Sequence, residues 1–293
     1  MQQLSQIPVS PLAFGAIGDA YGFCFEFAEA AHIHANNCLA YIQHPEFADV
    51  KPGAYSDDTQ MQLALAELMV SELPWTKQNI ASSFVSTFKR DPRPGYAKRF
   101  YSLLDQIADG DELLAKIVPS SDRNGAAMRS PIIGLYPDES RVVESAQIQA
   151  AVTHDTPGGV DSSVAAALIS HFFVYQLGEK QELPKYLKSR LPNHDWEQRW
   201  SGSVPCHGMS TVFAALTAIL NTDSLGKLLE ATIEYTGDVD SVATIALACA
   251  SSSSSFQRDL PNVLIDDFEK SKFGMQYLIA TDCKLLEKLK ITR

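Results

Sequence analysis

No stretch of the 293-residue sequence is long and apolar enough to span a bilayer. The best run, residues 164–177, covers 14 positions and includes His171, whereas a membrane-crossing helix needs about 20. Residues 1–10 lack the basic start and apolar centre of a secretory signal. Positive charge is also in short supply, with 24 Lys and Arg against 35 Asp and Glu and a net charge of −11. Affinity for nucleic acid or anionic lipid comes from neutralising phosphates with Lys and Arg, so this balance argues against both partners. The five cysteines (Cys24, Cys38, Cys206, Cys249 and Cys283) are odd in number, scattered and free of any CxxC pair. Such usage fits a reducing compartment, and a cytoplasmic protein is expected. His32, His34, Cys38 and His44 are close in sequence, but their spacing matches no structural zinc pattern.

Strand-like alternation is missing too. Apolar residues instead recur at three- and four-residue steps, as in 57–72 (Met61, Leu65, Leu68, Met69), 208–221 and 238–250, with further stripes at 125–136, 140–152, 160–177 and 224–235. Turn formers separate them: Pro52-Gly53, Pro92 through Gly95, Pro137, Pro157-Gly158-Gly159, Pro192 and Pro205. At this length about 70–75% of the unfolded surface can be buried without disulfide or metal staples. The expectation is an all-α protein of roughly a dozen helices, forming a single domain over residues 1–293. The serine run 251–255 reads as a helix end fraying into a loop, with a hydroxyl-lined pocket as the alternative.

Two acidic clusters stand at the starts of apolar helices. One is Tyr55-Ser56-Asp57-Asp58-Thr59 and the other Gly237-Asp238-Val239-Asp240-Ser241. Capping and the helix dipole account for one such residue at each start. Each cluster, however, supplies two carboxylates and a hydroxyl. Four carboxylates turned toward a buried region repel unless cations neutralise them, and hard divalent ions take oxygen donors of this kind. The spacing of Asp238, Asp240 and Ser241 suits a shared carboxylate; double capping remains the other reading. Gly15, Gly18 and Gly22 fall on one helical face and would let a second backbone approach closely, with Glu26 roughly on the same side. Asn124-Gly125-Ala126-Ala127-Met128-Arg129 is a small-residue helix start, open either to a phosphate or to nothing. His154 follows Thr153.

Taken in order, these blocks resemble the ADP-ribosylglycohydrolase family, and especially its dinitrogenase reductase-activating glycohydrolase type. The resemblance is strongest over residues 12–255. It implies an orthogonal helical bundle that holds two Mg²⁺ or Mn²⁺ ions at one end of a cleft. By position, Ser56, Asp57, Asp58, Asp238, Asp240 and Ser241 would be the metal ligands, with Asp240 shared between the ions. Ser56 and Ser241 stand where the family usually has Thr. Glu26 matches a mobile acid near the metals, so Glu26, Asp57 and Asp240 are the expected catalytic residues. Asn124, Gly125, Ala126, Met128 and His154 match the wall that holds ADP-ribose. The implied activity is metal-dependent hydrolysis of the glycosidic bond joining ADP-ribose to a protein side chain or small molecule. A non-catalytic ADP-ribose or nucleotide binder, and a metal-dependent hydrolase of another nucleoside or glycoside, are the alternatives.

One departure bears on substrate. The dinitrogenase reductase-activating type carries an acid in a loop over the site, and Arg93 stands at that position, with Asp91 nearby. A free cation there would repel an arginine guanidinium, so a linkage other than arginine is expected and Arg93 is counted with the substrate-binding residues; the alternative is that Arg93 points to solvent and Asp91 takes over the acid's role. The family's glycine-rich stretch after the second metal helix is replaced by serines 251–255.

Overall fold

The helical periodicity takes shape, in a computed structural model that describes residues 9–291, as fifteen α-helices. The first six are α1 (Pro11–Phe23), α2 (Ala30–Asn36), α3 (Asp57–Val70), α4 (Lys77–Arg90), α5 (Lys98–Gln106) and α6 (Gly110–Lys116). Next come α7 (Gly125–Met128), α8 (Glu139–Ala150), α9 (Pro157–Val174), α10 (Leu183–Arg190) and α11 (Gly208–Asn221). The last four are α12 (Leu225–Ile233), α13 (Val239–Ala250), α14 (Val263–Asp266) and α15 (Met275–Leu289). Isolated bridges take the place of strands among the described residues. The fold is an all-helical, single-domain bundle. None of its described helices is long and apolar enough to cross a membrane. Residues 1–10, read as lacking a secretory signal, fall almost wholly outside the described residues.

Every residue of α1 and α13 is buried, and these two helices make the most extensive pairing in the bundle. The glycine stripe explains why. A Cβ on Gly18 would lie 2.4 Å from the Ala243 carbonyl oxygen, and one on Gly22 would lie 2.4 Å from the Asp240 Cα. The α1 backbone therefore rests directly on the α13 backbone, at the turn that carries the second acidic cluster. Asp282 of α15 closes the other end of α1 by accepting the Leu12 and Ala13 amides (3.3 and 3.0 Å), which satisfies two of the four unpaired donors of a helix start.

This contact yields a graded prediction. Gly22→Ala should lower unfolding free energy by about 1–3 kcal/mol, the usual scale of overpacking, and should weaken divalent-cation binding by displacing Asp240. Gly15→Ala meets only side chains, at 3.2 Å, and should be far milder. Urea denaturation combined with metal titration distinguishes the two. Equal effects would show that backbone contact is not the decisive feature.

Three local expectations change. The 125–136 stripe is not one helix: α7 stops at Met128, and Pro131–Leu135 forms a 3₁₀ turn, because proline offers no amide to extend the α-helical ladder. Pro157-Gly158-Gly159 opens α9 rather than separating helices, with Pro157 in the first turn and Thr156 capping the Gly159 amide. The count of helices exceeds a dozen because short ones such as α7 and α14 carry no periodic signal of their own. The serine run follows the helix-end reading: Ser251 caps α13 and its hydroxyl donates to the Ala248 carbonyl (2.9 Å).

Candidate functional site

Five chain segments meet where α1, α3 and α13 converge. The starts of α3 and α13 carry the two acidic clusters, so carboxylates stand at the positive ends of two helix dipoles. The turn after α1 brings in Glu26. The residue before α7 is Asn124, and the loop between α4 and α5 runs across Asp57, where the Asp57 amide donates to the Pro94 carbonyl (3.0 Å). Gly95 adopts φ +97° in that loop, and a Cβ there would come within 2.1 Å of Asp57 Oδ1, so only glycine permits this approach.

Asp19 is the residue that sequence reasoning left without a role. It is fully buried on α1 and accepts the Ser56 amide (3.1 and 3.0 Å), the Thr59 amide (2.9 Å) and the Thr59 hydroxyl (2.5 Å). These bonds fix the first turn of α3 and with it the direction of Asp57 and Asp58. Its signal was present as an acid inside an otherwise apolar, glycine-striped helix. Ser56 performs the ordinary capping role as well, its hydroxyl accepting the Asp58 amide (3.2 Å).

Glu26, Asp238 and Asp240 each bring one carboxylate oxygen within 4.8 Å of the others. They are the one such group of metal-ligating side chains among the described residues. His32, His34, Cys38 and His44 do not converge. His44 instead serves Glu26: its Nδ1 accepts the Glu46 and Phe47 amides (3.0 and 3.2 Å), leaving Nε2–H to donate to the Glu26 carbonyl (2.9 Å). Asp240 accepts the Ser241 amide (2.9 Å), and Asp238 accepts from Asn124 Nδ2 (3.0 Å).

The electrostatics of the cluster are unfavourable as it stands. Burial, followed by repulsion from Asp238 and Asp19, pushes the Glu26 pKa up to about 8. Asp57, Asp58 and Asp240 are held well above the usual carboxylate range, first by burial and then by nearby negative charges: Asp19 and Glu26 on Asp57, Asp19 and Asp57 on Asp58, Glu26 and Asp58 on Asp240, and Asp238 on all three. Asp58 Oδ2 is buried with no hydrogen-bond partner. A carboxylate oxygen left in this way costs about 1–3 kcal/mol or more, and a cation would remove that penalty. The donor set is all hard oxygen, which suits Mg²⁺ or Mn²⁺ over softer metals.

The expected wall is partly committed to the protein itself. Asn124 is turned onto Asp238 and Thr211. The Ala126 carbonyl accepts from Ser130 (2.7 Å) and Gln149 (2.9 Å), and the Met128 carbonyl accepts from Gln62 (3.0 Å). Gly125 packs against the His154 ring.

Arg93 is placed otherwise than a free cation over the site. Its guanidinium donates to Asp91 Oδ2 (2.9 and 2.6 Å) and to both Glu269 oxygens (2.5 and 2.8 Å), and it stacks 3.8 Å from the Tyr55 ring centroid. Burial opposes the charge, but Glu269 and Asp91 more than compensate and hold the arginine firmly protonated. With two carboxylates around it, Arg93 has no unbalanced charge to repel a substrate guanidinium. The electrostatic ground for excluding arginine linkages therefore falls, and Asp91 is itself occupied.

The all-helical bundle is an architecture seen in a known structure. The ADP-ribosylglycohydrolase family model matches residues 12–272, and the chain belongs to that family. It is 25% identical over 196 residues to human "ADP-ribosylhydrolase ARH3", covering 61% of this chain and 53% of that one. It is 23% identical over 248 residues to "ADP-ribosylarginine hydrolase Tri1" of Pseudomonas putida strain GB-1, covering 79% and 66%. An uncharacterised Archaeoglobus fulgidus protein is 27% identical over 181 residues, covering 59% and 57%. The chain thus spans little more than half the length of the first and third of these relatives. A solved structure titled "ADP-ribosylglycohydrolase-related protein complex" superposes with a TM-score of 0.72 at 18% identity, covering 96% of this chain and 97% of that one. It shares the fold.

Proposed function

We propose that this chain is a cytoplasmic, divalent-cation-dependent hydrolase that cleaves the glycosidic bond between ADP-ribose and a protein side chain or small molecule. One domain over residues 1–293 would carry the residues of this site. The observation that carries this reading is the convergence of Glu26, Asp238 and Asp240 beside the unpartnered buried oxygen of Asp58, within a family whose name describes that reaction. Ser56, Asp57, Asp58, Asp238, Asp240 and Ser241 would hold two Mg²⁺ or Mn²⁺ ions, with Asp240 shared. Bound divalent cations supply Lewis acidity and neutralise developing charge.

The chain's own groups do the rest. Glu26, half-buried beside Asp238 and Asp240, is placed to hold or accept a proton at the leaving atom or the attacking water. Asp57 and Asp240 would be among the residues that hold the ions beside the reacting sugar. Asn124, Gly125, Ala126, Met128 and His154 line the ADP-ribose side, with loop 91–96, including Arg93, across the acceptor side. The block order follows the dinitrogenase reductase-activating type, while the ion-paired Arg93 departs from it. The relatives' names speak of ADP-ribosyl and ADP-ribosylarginine substrates, and both linkages are open to this chain.

The test is release of ADP-ribose from arginine-, serine- and small-molecule-linked substrates, with Mg²⁺, with Mn²⁺ and with EDTA. Release that requires metal supports the proposal. Tight ADP-ribose binding without release from any substrate would establish the non-catalytic reading, and neither binding nor release would point to another glycoside. Glu26→Gln should cut turnover at least about a hundredfold, the scale of a lost acid/base group, with ADP-ribose affinity changed far less. Equal losses would make Glu26 a binding residue.

A further inference from the structure

Under the turn formed by residues 124–128 runs a buried chain of polar side chains that ends on His154. Gln149 on α8 accepts from Arg129 Nε at 2.5 Å. Arg129 donates onward to the Gln149 carbonyl (3.1 Å) and to Thr153 Oγ1 (2.8 Å), with its guanidinium over the Phe84 ring. Thr153 Oγ1 lies 2.6 Å from His154 Nδ1. All four residues are buried.

The donors and acceptors in this chain permit one fully satisfied arrangement. A guanidinium only donates, so Thr153 Oγ1 accepts from Arg129. If the hydroxyl also accepted from His154 Nδ1–H, its own hydrogen would be buried with no acceptor, since Arg129 and His154 are its only partners, side-chain or backbone, among the described residues. The hydroxyl therefore donates to Nδ1, and the ring proton resides on Nε2. His154 Nε2 has no hydrogen-bond partner among the described residues, and the residue keeps 8% of its surface exposed. The ring is also boxed in place. A Cβ on Gly125 would fall 2.8 Å from its Cε1, and one on Gly159 would fall 2.8 Å from the His154 Cβ. Burial, reinforced by the Arg129 charge, lowers the His154 pKa to about 3, so the ring is neutral at working pH.

We infer that Arg129 and Thr153 are positioning residues that lock His154 in its Nε2–H form, so that it offers the ligand site a fixed, uncharged donor. The group it meets must then be an acceptor, such as a phosphate or ribose oxygen, and not an N–H. The tautomer rests on geometry alone; only the identity of the acceptor rests on the ADP-ribose reading.

Long-range ¹H–¹⁵N correlation on ¹⁵N-histidine-labelled protein tests this, with His154 assigned by the signal lost in His154→Gln. The wild-type protein at pH 7 should show a single Nε2–H tautomer at this residue. Thr153→Val should replace it with Nδ1–H or a mixture and weaken ADP-ribose binding about tenfold, the scale of one hydrogen bond. Thr153→Ser should restore both. An Nδ1–H or charged ring in the wild type, or an unchanged Nε2–H form in Thr153→Val, would overturn the inference. The wild-type spectrum decides even if the valine variant does not fold. The expected tautomer in a protein that binds no ADP-ribose would support the lock and overturn the ligand assignment instead.

Discussion

Excess Mg²⁺ is expected to raise the melting temperature relative to EDTA by about 5–10 °C at pH 8, and by clearly less at pH 6. A ligand that binds only the folded state at about a hundred times its Kd adds about 2.7 kcal/mol, and in a protein of this size each kcal/mol shifts the midpoint by roughly 2–4 °C. The pH dependence follows from the sign of the carboxylate shifts. Glu26 is raised to about 8, and Asp57, Asp58 and Asp240 are raised well above the usual range. Between the unfolded carboxylate pKa near 4 and the folded values, the folded metal-free protein binds more protons than the unfolded chain. Its stability therefore falls as pH rises through that window. Metal competes with those protons, so its stabilisation grows with pH and its binding releases protons into solution. Differential scanning calorimetry from pH 5.5 to 8.5, with and without Mg²⁺ or Mn²⁺, measures this directly. A midpoint indifferent to metal at every pH would refute the site.

Asp240→Asn and Asp19→Asn should separate function from stability in opposite directions. Asp240 is buried among like charges and lies in the candidate ion-holding group. Neutralising it should leave the metal-free protein as stable or more stable, because a repelling buried charge is gone. Turnover should nevertheless fall by about 10³ or more, since several kcal/mol of charge stabilisation are lost at about 1.4 kcal/mol per tenfold. Asp19 instead accepts from two amides and a hydroxyl. An asparagine there must set its NH₂ against donors, at about 1–3 kcal/mol for each unsatisfied group, and should loosen the start of α3. Thermal unfolding in EDTA and ADP-ribose release, measured side by side, check both variants. A destabilised Asp240→Asn with normal turnover would show that Asp240 is a structural acid.

The helical class, the long helices α3, α9, α11 and α13 and the two acidic clusters were legible in the sequence because each is a local pattern. Apolar periodicity reports a buried helical face, and a glycine stripe at i, i+3 and i+7 reports a close helix neighbour whatever that neighbour is. The break of residues 125–136 at Pro131 was legible in principle and was masked by an apolar stripe that continues through the 3₁₀ turn. Other features had no local signature. Nothing in the sequence near Asp19 shows that its carboxylate reaches across 37 residues to the Ser56 amide. Arg93 stood in sequence beside the acceptor loop as a free cation, because its neutralising partner Glu269 lies 176 positions away.

The sequence alone determined that this protein is an acidic, helical bundle with paired carboxylates at two helix starts, since composition, periodicity and capping are properties of neighbouring residues. Only the tertiary structure decided which carboxylates meet. It joined Glu26 to Asp238 and Asp240, left Asp58 Oδ2 without a partner, gave Asp19 to the backbone of α3 and tied Arg93 to Asp91 and Glu269. Pairing across a fold depends on how helices pack, and charges within a few ångströms in a buried site interact far more strongly than any spacing along the chain can indicate.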